Sequence, residues 1–413
     1  MLRLFHTADW HLGHSLHGVS RQPEHRRFLD WLLLELQNQQ ADALIVAGDI
    51  FDSANPSASA QTQLYDFLVQ AKTAQPALDI VLIGGNHDSA SRLDAPSSLL
   101  NALGVSVVGG LTRGEDGIDW NRLIVPLTNA AGETEAWCGA MPFLRNADLP
   151  PGESGDEPLI AGVKSLYAQL LGELQARATQ GENLILTGHC YMVNGRVSEL
   201  SERKILGGNQ HALPVDLFSE DIAYVALGHL HLAQQVGANG HIRYSGSPIP
   251  LSFDESQYPH QVVQVDMKAG RPPATAALKI PRSVELLRIP NGKDFAALED
   301  ALAQLERMDF DAGLPREQRP FVELRIKLEK PEPGLRQQVE DVIAKLPVRL
   351  LKISTAYGGG DKSLADAKIE ERLEELQPLD VFQRCYRNKF DQEVPAGMNA
   401  LFNELLENRK EKP

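Results

Sequence analysis

The sequence predicts an α/β fold: mixed β-sheets flanked by helices, then a small second α/β unit and a helical C-terminal arm. Three observations carry this. Short, nearly all-apolar runs alternate with stretches of helical spacing through residues 1–280. The alternation resumes on a smaller scale over 281–356, after "RPPATAALKIPRS". Three consecutive glycines, Gly358, Gly359 and Gly360, then read as a linker before a last helical stretch within 357–413.

Taken in order, "LRLFHTAD" is a strand, and "HRRFLDWLLLELQNQ" is a helix with Phe28, Leu29, Leu32, Leu33 and Leu36 on one face. "ADALIVAGD" is a second strand, "SASAQTQLYDFLVQAK" a second helix and "LDIVLIGGNHD" a third strand. Strands joined by helical crossovers lie parallel. Later strands are "VSVVGG", "EAWCGAMPF", "ENLILTGHC", "DIAYVALGHLH", "GHIRYSGSP" and "HQVVQVDM", with one helix at "KSLYAQLLGELQARAT". The second unit alternates "VELLRIP", "DFAALEDALAQLERM", "PFVELRIKLE", "GLRQQVEDVIAKL" and "VRLLKIS" as β-α-β-α-β. In the arm, Met398, Leu401, Phe402, Leu405 and Leu406 fall on one helical face.

Composition narrows the classes. A chain of 413 residues is expected to form two or three domains. No segment approaches the roughly 18 apolar residues of a membrane span, and the N-terminus lacks an export-type apolar segment, so a cytoplasmic protein is expected. Cys138, Cys190 and Cys385 form no CxxC pair, which argues against a disulfide framework or a thiolate-bound zinc. The net charge of −15 would repel nucleic acid unless a local cationic centre or a partner offsets it.

Five predicted strands end in metal-ligating types of residue: "DWH" (Asp9, His11), "GDIFD" (Asp49), "GNHD" (Asn86, His87, Asp88), "TGH" (His189) and "GHLH" (His229, His231). Strand ends on one side of an open sheet converge on a shared crevice. Adjoining glycines let the backbone turn away or approach closely. Asp9, His11, Asp49, Asn86, His189, His229 and His231 are too many O/N donors for one ion. With one bridging carboxylate they suit two, which is the arrangement for in-line displacement at phosphorus. Imidazole, carboxylate and amide donors without thiolate favour manganese, iron or zinc.

The series "DWH … GDIFD … GNHD … TGH … GHLH" resembles the calcineurin-like metallophosphoesterase signature. Finer matches at "HTADWHLG", "VAGDIFDSANPS", "ALGHLH" and "YSGSPIPLSFDE" resemble the SbcD-type nuclease subunits that process DNA double-strand breaks. The resemblance implies a metallophosphoesterase core, an α/β capping domain facing DNA and a C-terminal arm that docks a partner. It places Asp9, His11 and His231 on a first metal, Asn86, His189 and His229 on a second, and Asp49 between them. His87 would be the general acid, with Asp88 orienting its ring. It further implies manganese, duplex-end exonuclease and hairpin or single-strand endonuclease activity on DNA, and a coiled-coil ATPase partner, SbcC, in a heterotetramer built on a homodimer. This chain has no GxxxxGK[ST] loop, so any ATP dependence would be the partner's.

Some residues stay open. Arg3, Arg92 and Ser247 are candidate substrate contacts or structural groups. Relatives from archaea and eukaryotes carry a histidine where this chain has Asp52, so that histidine's role does not transfer. His14 and His17 have no assigned role, Trp10 is expected to pack under its loop, and His6 to pack or hydrogen-bond within its strand. A small-molecule phosphoesterase on the same scaffold is the competing reading. The extra segments after the core speak against it, and the intact ligand set speaks against an inactive scaffold.

Overall fold

The computed structural model describes residues 1–115, 117–150, 156–178, 181–193, 195–196, 212–237, 240–330, 332–357 and 398. The expected linker and arm, 357–413, lie outside them apart from Tyr357 and Met398. Met1–Ala356 form one unit.

Apart from two short hairpins, Ser15–Leu16 with Val19–Ser20 and Arg113–Gly114 with Gly117–Ile118, its described strands up to residue 280 divide between two sheets. The first begins with β1 (Leu2–Thr7), β2 (Ala43–Ala47), β3 (Asp79–Ile83) and β4 (Val105–Val108), all parallel, with helices α1 (Gln22–Asn38) and α2 (Ala58–Ala74) in the crossovers. The chain then builds a second sheet from β5 (Ile124–Thr128), β6 (Thr134–Gly139), β7 (Asn183–His189), β8 (Tyr224–Gly228), β9 (Gln234–Val236) and β10 (Ile242–Tyr244), with helix α3 (Asp156–Arg177) between β6 and β7. β11 (Gln261–Met267) and β12 (Ala274–Lys279) return to the first sheet as antiparallel strands. The spatial orders are β12-β11-β1-β2-β3-β4 and β9-β10-β8-β7-β6-β5. In the second sheet β6, β7, β8 and β10 are parallel.

Side-chain alternation dictates this layering. On β2, Ala43, Ile45 and Ala47 join a core that includes Val125, Leu127, Cys138, Leu186 and Leu227 of the second sheet. Leu44 and Val46 point the other way, into Phe28, Leu32 and Leu36 of α1 and Leu64, Phe67 and Leu68 of α2. A strand buried on both faces reads as an unbroken apolar run, as "ALIVA" does. Trp10 is fully buried in the helix-side core, edge-on to Phe28 and Phe67, and its indole N–H donates to Thr7 Oγ1 at 3.0 Å.

His6 reaches across to the second sheet rather than staying within its strand. Its Nε2–H donates to the Leu227 carbonyl (3.2 Å), and Nδ1 accepts from the Tyr224 hydroxyl (2.9 Å). Burial lowers its pKa to about 3. Below pH ~6.5 the unfolded chain therefore takes up a proton that the folded chain refuses, and stability falls as pH drops towards the folded value. The contribution is about 1.4 kcal/mol per pH unit. Urea unfolding of His6→Gln at pH 7 and pH 5 should show a smaller acid loss than wild type; an equal loss would remove His6 as a contributor.

After residue 280, β13 (Leu286–Ile289), β14 (Phe321–Leu328) and β15 (Arg349–Tyr357) form a three-stranded sheet in that order, with helices α4 (Leu298–Glu306) and α5 (Leu335–Ile343). This matches the expected β-α-β-α-β pattern. Leu298, Ala301, Leu305 and Val339 supply the helix side of its core. Leu286 and Phe321 pack with Leu16 and Phe253, and the Arg288 guanidinium donates to Asp254 at 2.7 Å.

Candidate metal centre

The parallel strands of both sheets deliver their C-terminal ends to one place. Asp9 and His11 follow β1, Asp49 follows β2, Asn86, His87 and Asp88 follow β3, His189 ends β7, and His229 and His231 follow β8. The expected crevice thus lies between two sheets rather than along one. The approach is close: a Cβ at Gly85 would collide with Asp49, and one at Gly228 with the Ala47 carbonyl. Asp9, His11, Asp49 and His229 take positive φ of 55°, 46°, 47° and 97°. Left-handed backbone at non-glycine residues costs of order 1 kcal/mol each and persists where the surroundings enforce it. Here those residues are the candidate donors of the site.

The donors fall into two groups around Asp49. Asp9, His11 and His231 bring one ligand atom each to within 4.8 Å of one another, as do Asp9, Asp49 and His189. Asp49 Oδ2 lies 3.3 Å from His189 Nε2 and 3.6 Å from His11 Nε2, between the groups. Asn86 Oδ1 is 2.9 Å from His189 Nε2 and 3.0 Å from His229 Nδ1. All seven sequence-derived donors are therefore brought together. The His189 Nδ1–H donates to the Ala47 carbonyl at 2.9 Å, which turns Nε2 inward. Among the described residues, Asp9 Oδ2 and His11 Nε2 are buried without a hydrogen-bond partner. Such atoms are costly unless something pairs with them, and the donor chemistry fits a pair of divalent cations sharing one carboxylate.

The electrostatics prepare the same outcome. Burial lifts Asp9 to about 6 and drops His11 to about 4 and His229 to about 3, so at neutral pH the former is a carboxylate and the latter two are neutral imidazoles. Burial also opposes ionisation of Asp49, yet His189 and His11 hold its carboxyl well below the usual range. Burial disfavours charge on His189 too, but Asp49 and Asp9 raise it to about 9. A divalent cation bound there displaces that proton.

His87 stands at the rim, edge-on to His11 with ring centroids 4.8 Å apart. Its backbone N–H donates to Asp49 Oδ1 (2.8 Å), and its ring Nδ1–H donates to the Asp52 carbonyl oxygen (2.9 Å). The expected Asp88 support for the ring is therefore corrected: Asp52's backbone orients it. The buried Asp88 carboxylate instead accepts the backbone N–H groups of Ile50, Phe51 and Gly85 at 2.9–3.1 Å, tying the loops after β2 and β3 together. No spacing rule announces such a contact, because its partners are main-chain groups.

Two of the three candidate substrate contacts are structural. Arg3 pairs with Asp266 and donates to the Gln39 carbonyl, and the buried Ser247 hydroxyl donates to Ile249 O. Arg92 is exposed on a short helix, and nothing ties it to the donors. His14 gains a place: Nδ1 lies 3.0 Å from Asp52 Oδ1 and Nε2 3.1 Å from Leu251 O. His17 stacks on Phe253 at 6.1 Å. Two supporting residues escaped sequence reasoning. Glu255 lies in the quoted "SFDE" run, yet only the fold brings it to His231, and Arg145 donates to the Asp88 carbonyl at 3.0 Å.

Fold and donors define a metal-dependent phosphoesterase, and residues 2–233 match the family model described as calcineurin-like phosphoesterase. Residues 282–390 match a second model, described as type 5 capsule protein repressor C-terminal domain. The D subunit of nuclease SbcCD from Rhodobacter capsulatus is 42% identical over 84% of this chain and 86% of its own. The protein of the same name in Escherichia coli K12 is 32% identical over 98% of both chains, and that in Bacillus subtilis 35% identical over 65% and 67%. The chain belongs to the SbcD family of nuclease subunits, metal-dependent phosphodiester hydrolases.

Proposed function

We propose that this chain hydrolyses DNA phosphodiester bonds with two manganese ions, as the nuclease subunit of a complex with the ATPase SbcC. The observation that carries this is the grouping of seven donors about Asp49 with His87 at the rim. When bound, the cations supply Lewis acidity to the phosphodiester and to the attacking water. The chain's own residues do the rest. Asp9, His11 and His231 hold the first ion, and Asn86, His189 and His229 the second. Asp49 is shared, and its second oxygen fixes the His87 backbone. With Nδ1–H committed to Asp52 O, Nε2 is the nitrogen of His87 that takes up a second proton, and the imidazolium so formed delivers that proton to the leaving sugar oxygen and returns to the neutral Nδ1–H ring. The cations also answer the charge problem, since a chain of net charge −15 needs a local positive centre to draw a polyanion.

The unit over 281–356 serves as the cap over DNA, and 357–413 as the arm that docks SbcC, in a heterotetramer built on a homodimer. The complex acts in the cytoplasm on duplex ends and hairpins during repair and recombination. Among the described residues no helix is long and apolar enough to cross a membrane. The test is cleavage of hairpin and blunt duplex DNA with Mn²⁺, with and without SbcC and ATP; activity confined to small phosphate esters would refute it. Ending the chain after Gly358 should leave metal-dependent phosphodiesterase activity and abolish co-purification with SbcC. Retained co-purification would move the docking site elsewhere.

A further inference from the structure

The two donor groups differ in what stands behind their imidazoles. His231 Nδ1 lies 2.9 Å from Glu255 Oε1, and Glu255 is fully buried. The second oxygen of Glu255 accepts the Leu251 N–H at 2.8 Å. The Leu251 carbonyl accepts from His14 Nε2, His14 Nδ1 meets Asp52 Oδ1, and the same oxygen lies 3.4 Å from His11 Nδ1. Hydrogen bonds thus link His231, Glu255, Leu251, His14 and Asp52, and Asp52 Oδ1 faces His11 Nδ1 at an ion-pair distance of 3.4 Å without a hydrogen bond. Each histidine of the first group therefore has a carboxylate facing its outward nitrogen. In the second group, His189 is backed by the neutral Ala47 carbonyl, and Asn86 contributes a neutral amide.

A carboxylate behind an imidazole N–H fixes the tautomer as a carbonyl does, but it also makes the opposite nitrogen a stronger donor to a cation. We infer that Glu255 and Asp52 are positioning residues that make the Asp9–His11–His231 site the tighter of two unequal metal sites. Glu255 is the stronger contributor, because its contact with the ring is the shorter and the more buried. His14 braces Asp52 against the loop that carries Glu255. This rests on the two-metal reading above and adds the order of loading: the first group fills first, and the Asn86–His189–His229 group exchanges its ion more readily.

The experiment titrates the metal-free full chain with Mn²⁺ by calorimetry, with electron paramagnetic resonance to separate single ions from coupled pairs. Wild type should show two classes of site, and Asn86→Ala should remove the weaker. Glu255→Gln should weaken the tighter class by about 10–100-fold, with the weaker class changed by less than about twofold. Asp52→Asn should act in the same direction by less. Should Glu255→Gln fail to fold by circular dichroism, Asp52→Asn and His14→Ala carry the test. Equal weakening of both classes, an unchanged tighter class, or loss of the tighter class in Asn86→Ala would overturn the inference. Fewer than two ions on the wild type would instead overturn the two-metal reading.

Discussion

His87→Gln is expected to lower kcat for phosphodiester cleavage by about 10²–10⁴-fold, the usual contribution of general acid catalysis, while both metal-binding classes stay intact. The side chain is half-buried at the rim, and its described polar contacts go to the Asp52 carbonyl and, through the backbone, to Asp49. A glutamine side-chain N–H can still donate to the Asp52 carbonyl, so the loop should hold. What glutamine lacks is a ring nitrogen able to carry and release a proton. KM for an oligonucleotide should change little, because the loss falls on the leaving-group step. Cleavage at close to the wild-type rate would remove His87 from the reaction.

Asp49→Ala should have the broader effect: loss of activity well beyond the roughly 10–100-fold expected when a supporting group behind a ligand is lost, together with loss of the second bound ion. Asp49 Oδ2 lies within 3.6 Å of imidazoles from both groups, and its other oxygen holds the His87 backbone, so one substitution disturbs both sites and the acid. Chelation should lower the melting temperature of wild type, because ions that bind only the folded chain stabilise it by mass action, about 2.7 kcal/mol at a hundredfold excess over Kd. In Asp49→Ala the chelation shift should shrink. Metal content by mass spectrometry and paired melts with and without chelator check both expectations. An unchanged chelation shift would mean that Asp49 is no ligand.

The candidate donors and His87 could be picked out because they sit where a periodic pattern stops: an apolar strand ends, in most cases a glycine lies close by, and a ligating type of side chain follows. The helices were legible for a related reason, since Phe28, Leu32 and Leu36 on α1 repeat at the period of the face they bury. Leu33, placed on that face by spacing, is only partly buried, because the stripe contacting β1 and β2 is narrower than the apolar set. The supporting contacts were not legible. Asp88 bonds backbone N–H groups, whose positions no residue type records, and Glu255 reaches a histidine 24 residues earlier, with strands β9 and β10 between them.

Local pattern by itself determined the element types, the list of candidate donors and the chemistry open to such donors, because periodicity and ligand type are properties of neighbouring residues. Tertiary structure alone decided three further things: that the strands divide into two facing sheets, that Asp52 rather than Asp88 orients His87, and that, among the described residues, carboxylates stand behind the imidazoles of the first group and a neutral carbonyl behind His189. Each depends on contacts between segments far apart in the chain. Such contacts are set by which faces can be buried together and which polar groups must find a partner there. A single sequence states the need for those partners without stating which ones meet it.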